Sequence, residues 1–203
     1  MYRNICIKLL YLASYNVTSN LSSEAGLKYY VLSSLSTCFL LFGISFIYFS
    51  TGSLNFREIS DILIQVMYID LDNNIDILYF FGLLGYIFLI SGLFIKLGFF
   101  PFYIWIPDVY EGVLTSVTGF FSLAPKLIFF FLLFHFSYCV FFIFFNLFLF
   151  LLLWCSIFSI IVGVFGAIYQ TKIKRMLAYS SISHTGHLGL CLYVGYEDLL
   201  KSF

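Results

Sequence analysis

Two lysines stand in sequence that is otherwise apolar, Lys96 in GLFIKLGFFPFYIW and Lys126 in SLAPKLIFFF. An ammonium at the bilayer centre costs about 2.5 to 3.5 kcal/mol on insertion scales, so it persists there by facing protein or water. Lys126 is eleven residues past Thr115, where its apolar run begins, and Lys96 is eleven residues before Pro107. Helical geometry then puts each roughly 16 Å deep. A snorkelling stem reaches about 6 Å, too short for either depth. Two cations at matching depth suggest a shared polar layer. Desolvation disfavours the charged amine, and a second ammonium nearby disfavours it again, so such a pair is suited to taking up and releasing protons.

Pro101 explains how such a layer could be hydrated. It cannot donate to the carbonyl of Leu97, its ring crowds that carbonyl, and it pushes Phe100 away from helical angles. Gly98 weakens the same turn. The expected result is a helix broken across Leu97, Gly98 and Pro101, with backbone carbonyls beside Lys96 available to water or protons, as in discontinuous transporter helices. A mere packing kink is the alternative, but all three prolines (Pro101, Pro107 and Pro125) cluster around the two lysines. Tyr103 and hydroxyls at Thr115, Ser116, Thr118 and Ser122 are candidate relays between these sites.

A further polar cluster, AYSSISHTGH, spans 178–187. Histidine is the side chain whose unperturbed charge change falls near physiological pH, so His184 could carry protons to one surface. Equally, Ser180, Ser181 and Ser183 could cap and solvate a helix start. His187 is read as structural and His135 as interfacial. Lys28 stands four residues after Glu24, the spacing of a helix-end ion pair.

The elements that must carry these residues are membrane spans. Of 203 residues 62% are hydrophobic and 10% charged, with 28 Phe and 16 Tyr, which a water-facing surface does not accommodate. With about 20 apolar residues needed to cross, five full spans appear, at 29–50, 78–105, 115–135, 140–169 and 181–196. A fragment at 5–15 precedes them. All must be helical, since a backbone in lipid has to satisfy its own hydrogen bonds. The fold expected is therefore an all-α polytopic transmembrane bundle, one domain over 1–203. Lys172, Lys174 and Arg175 collect on the side of the 107–112 turn, while 51–76 and the C-terminal tail are mostly acidic, so the basic side is cytoplasmic or matrix.

Net charge is zero, which leaves no electrostatic footprint for nucleic acid. Cys6, Cys38, Cys139, Cys155 and Cys191 are scattered singly and read as small core residues rather than metal or cluster ligands. Arg3 and Lys8 precede a short apolar stretch with no cleavage site, so no signal peptide is assigned.

In order and spacing, SEAGLKYYVLSSLSTCFLLFG (23–43), KLGFFPFYIWIPDVYEG (96–112), SLAPK (122–126) and KIKRMLAYSSISHTG (172–186) resemble the antiporter-like subunit 2 family of proton-pumping NADH:ubiquinone oxidoreductase, respiratory complex I. The likeness covers roughly residues 11–192. It implies part of an antiporter-like fold, a non-redox membrane subunit that translocates protons through Lys96, Lys126 and His184. It also implies that NADH, FMN, iron–sulfur clusters and ubiquinone belong to other parts of the complex, with no metal or cofactor in this chain. Tyr103 replaces the family's usual His, so that relay position must work by hydroxyl or water. Lys28 is a further possible relay. The acidic partner expected upstream of YLASYN falls at Arg3.

The family continues with a second, inverted set of helices. The expected partners are therefore other complex I membrane subunits, one of them a chain from a split gene supplying the missing helices, together with membrane lipids. Heavy use of Phe and Tyr suits an AT-rich organellar genome, pointing to the mitochondrial inner membrane ahead of a bacterial plasma membrane. Two rivals stay open: a free-standing cation/proton antiporter, and a structural membrane subunit with an inactive channel.

Overall fold

The computed structural model describes residues 20–68, 73–139 and 144–202. The fragment at 5–15, with Arg3, Cys6 and Lys8, lies outside the described residues. Within them the chain forms α1 (Asn20–Thr51), α2 (Phe56–Tyr68), α3 (Asn73–Leu97), a 3-10 turn (Phe102–Ile104), α4 (Trp105–Gly112), α5 (Thr115–Cys139), α6 (Phe145–Ile168) and α7 (Ile173–Ser202). The expected all-α bundle is what forms.

Among the described residues, four segments are long and apolar enough to cross a membrane: Leu21–Thr51, Leu78–Gly112, Thr115–Ser137 and Asn146–Ile168. The fifth expected span, 181–196, lies inside α7, which starts earlier, at Ile173. At 30 residues this helix is about 45 Å long, enough to cross. Its Ser, His and Gly content and its basic start keep it less apolar than the other four. Because the helix begins upstream, Ser180, Ser181 and Ser183 are interior residues, and their hydroxyls donate back to the carbonyls of Leu177, Ala178 and Ser180. The capping alternative for these serines therefore does not hold.

Two connections differ from the sequence reading. Part of 51–76 is the amphipathic helix α2, burying Ile59 and Leu63 at i,i+4 while Arg57, Glu58 and Asp61 face outward. At 13 residues it is too short to register in a search for spans. The expected 107–112 turn is the helix α4. Pro107 sits in its first turn, where a missing N–H costs nothing.

Helix α1 runs antiparallel to α3, and α6 to α7. Glycines allow the first pair to touch: a Cβ on Gly43 would lie 2.8 Å from the carbonyl oxygen of Gly85, and one on Gly85 would lie 2.9 Å from that of Gly43. Backbones approach this closely at small-residue helix contacts in membranes, where packing rather than water expulsion drives association. Serines sit near the same seam and along α6, donating to carbonyls three residues back, so they add no orphaned donor in lipid.

The helix break falls where the proline placed it. α3 ends at Leu97, Gly98 takes φ +74°, and the Phe100–Pro101 peptide is cis. The short α4 is then held on its own account. Ile106 and Val109 are fully buried, in one core with Ala25 and Tyr29 of α1, Phe121 of α5, and Ala178 and Ile182 of α7.

Candidate functional site

Lys96 occupies the last turn of α3, immediately before the break. Its Nζ donates to the carbonyl of Ser33 on α1 at 3.2 Å, an oxygen that also accepts from the buried Ser36 hydroxyl at 2.8 Å. The Phe129 ring of α5 lies 6.0 Å from the ammonium, within cation–π range. The space beside it is slight, a cavity of about 10 Å³ bordered by Tyr29, Leu32 and Trp105. Trp105 closes the break as well. Its indole N–H donates to the carbonyl of Ile95 at 3.2 Å, so one of the carbonyls expected to be open to water is taken by protein.

Lys126, one turn of α5 away from Phe129, points elsewhere. It donates to the carbonyl of Ser181 on α7 at 2.9 Å. It lines a cavity of about 600 Å³ between α5 and α7, together with Thr118, Ser122, His184 and Tyr110. The two helices join beyond this cavity, where Ser137 and Tyr196 hydrogen-bond and Tyr196 also donates to the carbonyl of Phe134. The shared polar layer expected for the lysines is thus two separate sites, because each ammonium is drawn to a carbonyl on a different neighbouring helix.

The cavity brings together Lys126 and His184 with Thr115, Thr118 and Ser122 of the expected relay hydroxyls and with Ser180 and Ser181, all singled out from sequence. Ser122 and Thr118 donate to the carbonyls of Gly119 and Thr115 at 2.8 and 2.7 Å. They therefore present oxygen lone pairs to the cavity, an arrangement that accepts hydrogen bonds from water or an ammonium. Tyr103 lines neither lysine cavity; its ring stacks on Phe100, 6.2 Å between centroids. His187 and His135 are exposed, the latter edge-on to Phe56 at 5.7 Å.

At the end where the chain is most basic, α4 is clamped. Lys28 pairs with Glu24 at 2.8 Å and with Asp108 at 2.7 Å. Asp108 also meets Arg175 at 3.1 Å, and Glu111 pairs with both Arg175 and Lys172. Lys174 caps the end of α4 by donating to the carbonyl of Val113 at 2.8 Å. The helix-end pair read for Lys28 is present, but it is one edge of an array joining α1, α4 and α7. Removing the shared acceptor by Asp108→Ala is expected to lower the thermal midpoint of the solubilised protein by a few degrees at low ionic strength. The loss should shrink at high salt, because partly exposed pairs are screened; thermal unfolding at two salt concentrations checks this.

Residues 3–200 match the family described as NADH:quinone oxidoreductase/Mrp antiporter, TM. The chain belongs to this antiporter membrane family. Subunit N of NADH-quinone oxidoreductase from Pelagibacter ubique is 39% identical over 97% of this chain and 39% of its own length. NADH-ubiquinone oxidoreductase chain 2 of Oenothera berteroana is 41% identical over 98% of this chain and 39% of its own length. A chain of respiratory complex I from Thermus thermophilus superposes with a TM-score of 0.70 at 29% identity, over 95% of this chain and 39% of that one. The chain therefore spans about two fifths of the length of these antiporter-family relatives.

Sequence inspection missed Ser33, Ser36, Trp105, Asp108, Glu111 and Tyr110. Asp108 and Glu111 did carry a signal, being carboxylates on the basic side three residues apart on one helix face. Ser33 and Ser36 carried little, since serines in a span mostly bond to their own helix.

Proposed function

We propose that this chain is part of a non-redox, antiporter-like membrane-arm subunit of proton-pumping NADH:quinone oxidoreductase, and that Lys96, Lys126 and His184 carry protons through it. The observation that supports this most directly is the Lys126 ammonium, held by a carbonyl rather than a carboxylate and facing a cavity lined by hydroxyl oxygens and His184. An ammonium so placed can lose its proton without leaving an unpaired carboxylate in lipid. The interrupted helix at Lys96 supplies the second element of a transport path.

In this reading NADH, FMN, iron–sulfur clusters and ubiquinone are held by other subunits. Helices corresponding to the rest of the relatives' length complete the module, and the assembly sits in the mitochondrial inner membrane. Family membership and the relatives' names support the complex. The abundance of Phe and Tyr supports the organelle.

The test is Lys96→Ala in the assembled complex reconstituted into vesicles. Proton uptake per NADH oxidised is expected to fall about a hundredfold or more through the affected path, the loss typical of a missing proton-transfer group. Undiminished uptake would remove Lys96 from the path. Migration of the chain apart from any NADH-oxidising assembly would instead favour a free-standing antiporter.

A further inference from the structure

The break after α3 disturbs the hydrogen bonding one residue from Lys96. In a continuing helix the Ile95 carbonyl would accept from the amide of Phe99. That amide donates to Phe94 instead, at 3.1 Å, alongside the Gly98 amide at 2.9 Å. A carbonyl left bare at membrane depth is costly, because no bulk water reaches it. The indole N–H of Trp105 takes the place of the diverted amide, donating to the Ile95 carbonyl at 3.2 Å. This donor comes from across the break, ten residues on, at the first position of α4.

The same side chain borders the ammonium. The space of about 10 Å³ beside Lys96 is bounded by Trp105 and Tyr29 together with Leu32, Ser33 and Ile95, and such a volume holds about one water at most. The Trp105 and Tyr29 rings lie 5.9 Å apart, and Tyr29 meets Phe121 of α5 edge-on at 5.2 Å. One turn along α4 from Trp105, Asp108 is held by Lys28 of α1 and Arg175 of α7. The placement of α4 therefore sets the direction of the indole.

We propose that Trp105 is a positioning residue for proton transfer at Lys96, acting through the Ile95 carbonyl. This rests on the transport role proposed for Lys96. The indole N–H completes the bonding of the last turn of α3, and that turn aims the ammonium at the Ser33 carbonyl, 3.2 Å away. The ring confines the neighbouring space to about a single water. Without the indole donor, the Ile95 carbonyl would draw water or another donor to itself, and the turn that carries Lys96 would shift. Tyr29 is the other titratable group bordering this space, and α5 presents the Phe129 ring to the ammonium. A tryptophan in an apolar run reads from sequence as a buried or interfacial ring. Only the fold sends its N–H back across the break.

The experiment uses the assembled complex in vesicles and reads proton uptake per NADH oxidised together with the amount of complex assembled. In the decisive variant Trp105 is replaced by its benzothiophene analogue, in which sulfur stands where the indole N–H was, so the ring stays and the donor goes. Uptake through this path is expected to fall about threefold or more at unchanged assembly, the effect of one hydrogen bond at the site. Trp105→Phe, which also lacks the donor, should fall at least as far, and Lys96→Ala is the control. A role in packing alone predicts parental uptake for the analogue. That result, with uptake lost in Lys96→Ala, overturns the role of Trp105 and leaves the transport reading intact. Undiminished uptake in Lys96→Ala overturns the transport reading of Lys96 itself. If the analogue fails to assemble, Trp105→Phe and Trp105→His decide together, since both lose ring area and only histidine retains an N–H. Higher uptake in Trp105→His than in Trp105→Phe supports the proposal, and equal uptake in the two ends it.

Discussion

Replacing Lys126 with Met is expected to abolish proton transfer through this module while the protein still assembles. Methionine has nearly the length of the lysine stem, fills the same channel between α5 and α7, and carries no ionisable group. Only the hydrogen bond to the Ser181 carbonyl is lost, and that carbonyl belongs to a continuous helix, so packing should change little. Positioned proton carriers contribute about 10²- to 10⁴-fold to the steps they serve. Uptake by this path should therefore fall below detection, or turnover should slow with it where transport and electron transfer are tightly coupled. Proton uptake per NADH oxidised in reconstituted vesicles, alongside oxidation with an artificial acceptor, separates those two results. Full pumping at full turnover would mean that the lysine is a relic and the subunit structural.

The second large effect is expected at Gly98, where the chain turns out of α3. Its φ of +74° is a conformation that L side chains rarely adopt, with a penalty of roughly 1–2 kcal/mol. A Cβ there would also collide with the side chain of Ile106, which is fully buried in the α4 core. Gly98→Ala is therefore expected to destabilise by about 2–5 kcal/mol, adding overpacking to backbone strain. Ile106→Val removes the Cδ1 atom nearest to the clash, at its own cost of about 0.5–1.5 kcal/mol. In combination with Gly98→Ala it should be less harmful than the sum of the two singles. Unfolding of all three variants in detergent measures that coupling. A Gly98→Ala protein as stable as the parent would mean that α3 continues past residue 98 in solution.

Much of the site was legible before any coordinates, and for identifiable reasons. Lysine and proline are so unfavourable inside apolar spans that Lys96, Lys126 and Pro101 marked themselves, and the break between α3 and α4 lies where Gly98 and Pro101 put it. The Glu24–Lys28 pair was readable because i,i+4 spacing on a helix is local geometry. Expectation and structure part where partners are distant in sequence. Depth along each helix was countable, yet depth does not say which way a side chain leaves the helix. Lys96 turns to Ser33 and Lys126 to Ser181, 63 and 55 residues away respectively. The short amphipathic α2 was hidden for another reason, since at 13 residues it falls below the length that a search for membrane spans registers.

Composition, helical period and helix breakers by themselves determined that this is a helical membrane protein with cations inside its spans and one interrupted helix, because each is a property of the chain within a few turns. Tertiary structure alone decided that the two lysines occupy separate sites, that Asp108 and Glu111 clamp α4 to α1 and α7, and that Tyr110 lines the cavity that holds Lys126. Those outcomes depend on which helix faces span which gap, and small-residue contacts such as that of Gly43 with Gly85 select one packing among several that the same hydrophobic pattern would allow.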